Sequence, residues 1–282
     1  MAEPAGPGAE LFHGLPSQTL ALANGDHVRV LHHGAQVVSW VAGGRERLYL
    51  SPRSKFDGHC AIRGGVPICF PQFNQRGALP RHGFARNLPW QADPVQATPE
   101  LVQLTLRLRA SAATRQFWPQ SFEAMLTVEL RPGCLQLTLG VYNTDAVPLR
   151  FSGALHTYLA VADIAATELT GLHGQAEWDA LTDRHAPAAG SLRFAGEFDR
   201  VYAAAPRPLR LRDGAQQLAI EQSATWAQTV VWNPGAERAA QLADLPAEGY
   251  ARMLCVEAAQ VTPPIAVAPG AVWQGWQRLR IA

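Results

Sequence analysis

Alternation constrains this chain more than any other feature. In residues 100–110, ELVQLTLRLRA, Val102, Leu104, Leu106 and Leu108 fall on one side while Gln103, Thr105, Arg107 and Arg109 fall on the other. That period of two is what a strand half-buried in a sheet requires. FEAMLTVEL repeats it with Phe122, Ala124, Leu126, Val128 and Leu130, and CLQLTLGVY with Leu135, Leu137, Leu139 and Val141. The intervening RPGC predicts a hairpin turn. TLALANGDHVRVL predicts a second hairpin, with Asn24-Gly25 as a dipeptide that tolerates positive φ in a tight turn. Further short strands are expected in RPLRLR, QTVVW and WQRLRI, and one short helix in the proline-bounded PGAERAAQLADLP. Many strands with turn signals and few helices predict an all-β sandwich or barrel. No repeat, composition shift or linker divides the chain, so one domain is expected over residues 1–282, with residues 1–10 frayed.

Charge and cysteine usage exclude several classes of partner. Lys and Arg total 24 against 23 Asp and Glu, a net +1, so no global basic field points to nucleic acid or an anionic membrane surface. Any anion recognition must be local. Cys60, Cys69, Cys134 and Cys255 form no CxxC pair and are widely spread, which argues against a zinc ribbon or a disulfide framework. They are expected to be reduced, buried thiols. The start, MAEPAGPGAELFHG, lacks the basic and apolar regions of a signal peptide, and no stretch is long enough to span a bilayer. A cytoplasmic protein is expected.

Four stretches break the strand pattern and carry polar groups. In IRGGVPICFPQFNQRGALPRHGFARN, residues 62–87, glycines and prolines predict an irregular, stiff loop that presents Arg63, Arg81, His82 and Arg86. FSGALHTYLAV places His156 in an apolar run, GEFDRVYAA places Asp199 beside Arg200, and MLCVEAAQV places Glu257 among apolar residues. Each has an ordinary explanation. His156 could be a satisfied core histidine, Asp199-Arg200 a turn pair, the Arg81–Arg86 segment a solvated face, and Glu257 an outward residue of an alternating strand.

Taken together, AIRGGVPICFPQF, RHGFARN, ALHTYL, FDRVY, VVWNP and MLCVEAA resemble, in order and spacing, the glucose-6-phosphate 1-epimerases, the hexose-6-phosphate mutarotases of the aldose 1-epimerase superfamily. The resemblance runs from about residue 10 to the C-terminus. It implies a large antiparallel β-sandwich of the galactose-mutarotase type with an open cleft, and no metal or organic cofactor. By the same resemblance His156 corresponds to the catalytic acid, Glu257 to the base, Arg63, Arg86 and Asp199 to substrate-binding positions, and His82 to a histidine that contacts the sugar. The implied partner is a small sugar phosphate, and a monomer is expected. Many relatives have glutamine before the HGFAR histidine, where this chain has Arg81, a departure that either adds a phosphate contact or faces solvent.

The chemistry suits these residue types. Exchanging α and β anomers requires taking a proton from the C1 hydroxyl and giving one to the ring oxygen, so that the ring opens, C1–C2 rotates, and closure occurs on the other face. One base and one acid suffice, each worth about 10²–10⁴-fold. A carboxylate in an apolar surround holds protons more tightly, and a histidine ordinarily titrates near neutrality and can donate. A 6-phosphate brings roughly −1.5 to −2 charges, for which arginines are the natural partners. Two other classes fit some of the same residues. His82, His156 and Glu257 could form a two-histidine, one-carboxylate metal site, or the sandwich could be a non-catalytic sugar-binding module.

Overall fold

The computed structural model describes residues 10–282. The expectation of a frayed N-terminus therefore lies outside the described residues, except that Glu10 opens the strand Glu10–Phe12. Strands dominate, as the alternation predicts, and every ladder pairs antiparallel. Five strands between Glu10 and Glu46 form a meander in chain order. A larger sheet is centred on Val102–Arg109, Phe122–Arg131, Cys134–Asn143 and Val272–Ile281. In the first three of these the apolar set is buried and the polar set is not, which is the predicted phase.

The remaining sheet positions the site. From one edge to the other it runs Arg184–Pro187, Ala176–Asp179, Phe198–Ala203, Gln228–Asn233, Met253–Val267, Leu149–Leu155 and Ile68–Cys69. Tyr158–Ala160 pairs separately with Met253–Val267. One face of this sheet supplies Val231, Leu254, Val256 and Ala258 to a hydrophobic cluster that also contains Leu104, Leu126 and Leu137 of the large sheet and Val28 and Trp40 of the meander. The opposite face carries Val230, Cys255, Glu257 and Ala259, and it is covered by the 61–90 loop and by Tyr158. Residues 253–261 are thus buried without a break.

Two corrections follow, and two-sided burial explains the second of them. FDRVYA and MLCVEAAQV are regular central strands, not interruptions of the strand pattern. A strand covered on both faces has no solvent side to mark with polar residues, so alternation vanishes.

Three smaller expectations also shift. The Asn24-Gly25 hairpin is a wider loop over Leu22–Asp26, closed by Leu22 N–H donating to Asp26 O at 2.9 Å, and of the dipeptide only Gly25 has positive φ. Asp26 holds it open, because its buried carboxylate accepts from Gly43 N at 2.9 Å and Gly133 N at 2.7 Å. The helix in PGAERAAQLADLP is confined to Gly235–Ala240, beyond which the Asp244 carbonyl accepts from Ser51 Oγ at 2.6 Å. Of the four cysteines, only Cys69 and Cys255 are buried; Cys60 is exposed in a turn capped by Asp57, and Cys134 is half-buried. No helix among the described residues is long and apolar enough to cross a membrane.

Candidate functional site

A cleft of about 510 Å³ opens on the covered face of that sheet, and all seven residues singled out from the sequence line it: Arg63, Arg81, His82, Arg86, His156, Asp199 and Glu257. Strand register brings the distant ones together. Leu155 pairs with Ala258, which sets His156, just past the end of its strand, beside Glu257. His156 Nε2 lies 3.3 Å from Glu257 Oε1. Both residues are buried, at 8 % and 1 % exposed, and His156 Nδ1 and Glu257 Oε2 have no hydrogen-bonding partner among the described residues. Glu257 therefore faces the cleft rather than alternating outward to solvent.

Burial moves both groups toward neutrality. It raises Glu257 well above the ordinary glutamate range, reinforced by the charge of Asp199. It lowers His156 to about 3, with the Arg86 and Arg63 cations adding to the effect. These surroundings thus do not favour a histidine that titrates near pH 7. Asp199 is pushed up to about 6 by burial and then by Glu197.

The 79–90 loop owes its shape to apolar anchors and a strained turn. Phe84 and Trp90 are buried, and Trp90 Nε1 donates to Ala85 O at 2.9 Å. His82 and Gly83 both take left-handed conformations, and a Cβ on Gly83 would collide with the Phe70 carbonyl. The His82 ring turns inward, with Nδ1 3.1 Å from Cys69 Sγ and accepting from Asn74 N at 3.3 Å. Burial lowers its proton affinity, aided by His156. A non-glycine residue held at φ +65° inside a cleft is the kind of strain found at functional positions.

The three arginines differ in how many donors they have free. Arg63 gives Nε to Asp244 Oδ1 at 2.7 Å and Nη1 to Tyr158 Oη at 3.3 Å. Arg86 donates only Nη2 to the Arg81 carbonyl, at 3.1 Å, and its buried Nε has no partner. Neither Arg81 nor Arg86 is ion-paired with a carboxylate among the described residues.

Three further residues belong to the site and were missed in the sequence. Tyr158 stacks on His156, ring centroids 4.8 Å apart and planes 10° from parallel, and Trp232 stands edge-on to both. Asp244 anchors Arg63. Tyr158 was findable, since it sits two residues from His156 in an apolar run. Asp244 was not, because nothing local links it to a residue 181 positions away. The trio His82, His156 and Glu257 is not the compact donor group; that group is His156, Cys255 and Glu257.

The family model for aldose 1-epimerase matches residues 17–280. A protein of Cenchrus ciliaris named "Putative glucose-6-phosphate 1-epimerase" is 37% identical over 95% of this chain and 86% of its own length. The chain belongs to the aldose 1-epimerase family. A Salmonella typhimurium protein with the same printed name is 35% identical over 82% of this chain and 79% of its own. The crystal structure of a "putative mutarotase (YeaD)" from that organism superposes with a TM-score of 0.87 at 28% identity, covering 97% of this chain and 95% of the other. The galactose 1-epimerase of Lactobacillus acidophilus shares the fold at 16% identity, TM-score 0.74. As a member of this family the chain is an isomerase that interconverts sugar anomers, and the non-catalytic module is not favoured.

Proposed function

We propose that this aldose 1-epimerase acts on glucose 6-phosphate or a closely related hexose 6-phosphate, with Glu257 and His156 moving the protons and Arg86, assisted by Arg81, holding the phosphate. The observation that carries the reading is that the cleft holding the His156–Glu257 contact is also lined by Arg81 and Arg86, neither of them ion-paired with a carboxylate among the described residues. A guanidinium with no carboxylate partner can take phosphate oxygens through charge-assisted bonds. The printed names of the relatives support the same substrate.

The acid/base pair works as a unit that shares one proton. Burial keeps the imidazole neutral and favours the protonated carboxyl. The reactive form is the one in which the shared proton sits on the imidazole across the 3.3 Å contact, and a phosphate dianion favours that form by offsetting the Arg86 and Arg63 charges, which act on His156 after burial. This leaves a carboxylate and an imidazolium. Glu257 then takes the C1 hydroxyl proton while His156 gives its proton to the ring oxygen. The C1–O5 bond breaks to an open-chain aldehyde, C1–C2 rotates, and the reverse transfers close the ring. His82 and Asp199 contact sugar hydroxyls, with Arg63 bracing Tyr158 and contributing its remaining donors.

The buried free thiols Cys69 and Cys255 support a reducing, cytoplasmic setting, and the one cluster shared by all three sheets supports a single domain. We also propose a monomer. The function is tested by the α/β exchange rate of glucose 6-phosphate, measured by NMR with and without the protein. Acceleration is expected; exchange no faster than in buffer would overturn the reading.

A further inference from the structure

Beneath the floor of the cleft lies a donor set that the acid/base chemistry does not use in full. Cys255 and Glu257 are two residues apart in one strand and share its covered face, and His156 reaches them from the neighbouring strand end. The imidazole nitrogen, the thiol sulfur and a carboxylate oxygen all lie within 4.8 Å of one another, and all three residues are buried.

We infer that His156, Cys255 and Glu257 form an inhibitory site for a thiophilic divalent cation such as Zn²⁺ or Cd²⁺, in competition with the sugar. Geometry comes first. A tetrahedral zinc with bonds of about 2.0–2.1 Å to nitrogen and oxygen separates those atoms by about 3.3–3.4 Å. His156 Nε2 and Glu257 Oε1 are already 3.3 Å apart. The Cys255 sulfur, within 4.8 Å of both, is the atom that must close in.

Ligand chemistry comes second. One thiolate, one imidazole and one carboxylate suit a borderline-soft ion and disfavour Mg²⁺ or Ca²⁺, which want several oxygens. Third, Glu257 Oε2 is buried and unpartnered, so the carboxylate has a free oxygen with which to close on an ion or meet its bound water. The fourth coordination position would open to the cleft, which His156 and Glu257 line.

Binding exchanges the thiol proton, and any proton shared by the His156–Glu257 pair, for the metal; these protons pass to the buffer and no electrons move. A cation held there occupies the acid and the base together, so it blocks anomer exchange rather than assisting it. Affinity should be modest. The orphaned His156 Nδ1 lacks the acceptor that usually orients a metal-bound imidazole, and Arg63 adds repulsion. This inference rests on the functional reading only for its inhibitory consequence.

The test titrates the full chain with Cd²⁺, following the thiolate-to-cadmium ultraviolet band, and measures anomer exchange in parallel with Zn²⁺ added. One equivalent of band is expected in the wild type and in C60S, and none in C255S. Zn²⁺ should inhibit wild-type exchange, with C255S keeping its basal rate and becoming about 10-fold or more less sensitive. In E257Q, read by the band alone, Cd²⁺ affinity should fall by about 10-fold or more. A band that persists in C255S, no band in the wild type, or an E257Q affinity equal to the wild type would overturn the site. Absence of exchange activity with the band intact would instead overturn the functional reading and leave the site standing.

Discussion

At the scale of single residues, the cost of Glu257 is as informative as its position. A carboxyl group 1 % exposed, with one oxygen 3.3 Å from an imidazole nitrogen and the other unpartnered, weakens the fold wherever it must ionise. Glu257→Gln keeps the shape but cannot accept a proton, so exchange should drop by about 10²–10⁴-fold while sugar phosphate still binds. His156→Asn should fall similarly, and the double variant should lose little more, since the two groups share one proton. NMR exchange rates check all three, and additive losses would separate the pair. Stability supplies an independent readout. The folded pKa of Glu257 lies above the unfolded value of about 4.3, so its full contribution is present below pH 4 and is lost as pH rises toward the folded pKa. Thermal unfolding should show Glu257→Gln more stable than wild type at pH 8, by something on the order of 1–3 kcal/mol, and equal at pH 4. For the phosphate, Arg86→Ala should lower kcat/KM on glucose 6-phosphate by about 10- to 150-fold, a loss that unphosphorylated glucose does not share. Equal loss on both sugars would make Arg86 a shaper of the loop instead.

Between residues and molecule lie the elements, where the Asp244–Arg63–Tyr158 connection ties the turn after Gly235–Ala240 to the stack on His156. With Nε on Asp244 and Nη1 on Tyr158, Arg63 acts chiefly as a brace. Asp244→Asn should therefore lower kcat on glucose and glucose 6-phosphate alike, by several-fold, with KM for the phosphate nearly unchanged. A rise in KM for the phosphorylated sugar alone would place Arg63 in the phosphate clamp. Elements also set what could be read in advance. The large sheet was legible because one face is buried and one is not, so Val102–Arg109 carries its orientation in its alternation. Residues 253–261 carry none, being covered on both faces. His156 and Glu257 could be noticed as polar groups in apolar runs, but their contact depends on the register that pairs Leu155 with Ala258. The depressed proton affinity of His156 depends further on burial and on two arginines from a loop about 70 to 90 residues earlier, information that no local pattern contains.

The molecule as a whole is nearly neutral, yet the cleft gathers Arg63, Arg81 and Arg86 around a histidine that burial, with their charge adding to it, lowers to about 3. With a net charge of +1 there is little long-range attraction for an anionic substrate. The field is local, and it acts on His156 as well as on any anion that enters the cleft. Raising ionic strength from about 0.01 to 0.15 M shortens the screening length from about 30 to 8 Å. Salt should therefore reduce kcat/KM for glucose 6-phosphate and leave glucose unaffected. A sharper consequence follows if phosphate binding is what moves the proton onto His156. In the free protein the His156 ring should show no titration between pH 5 and 8 by NMR, and it should gain a proton when glucose 6-phosphate binds. An untethered dianion can then do part of the same work. Phosphite, added in trans, should accelerate exchange of unphosphorylated glucose by several-fold in the wild type and have no effect in Arg86→Ala. Inhibition or indifference in the wild type would mean that the phosphate only anchors the sugar and that His156 acquires its proton by another route.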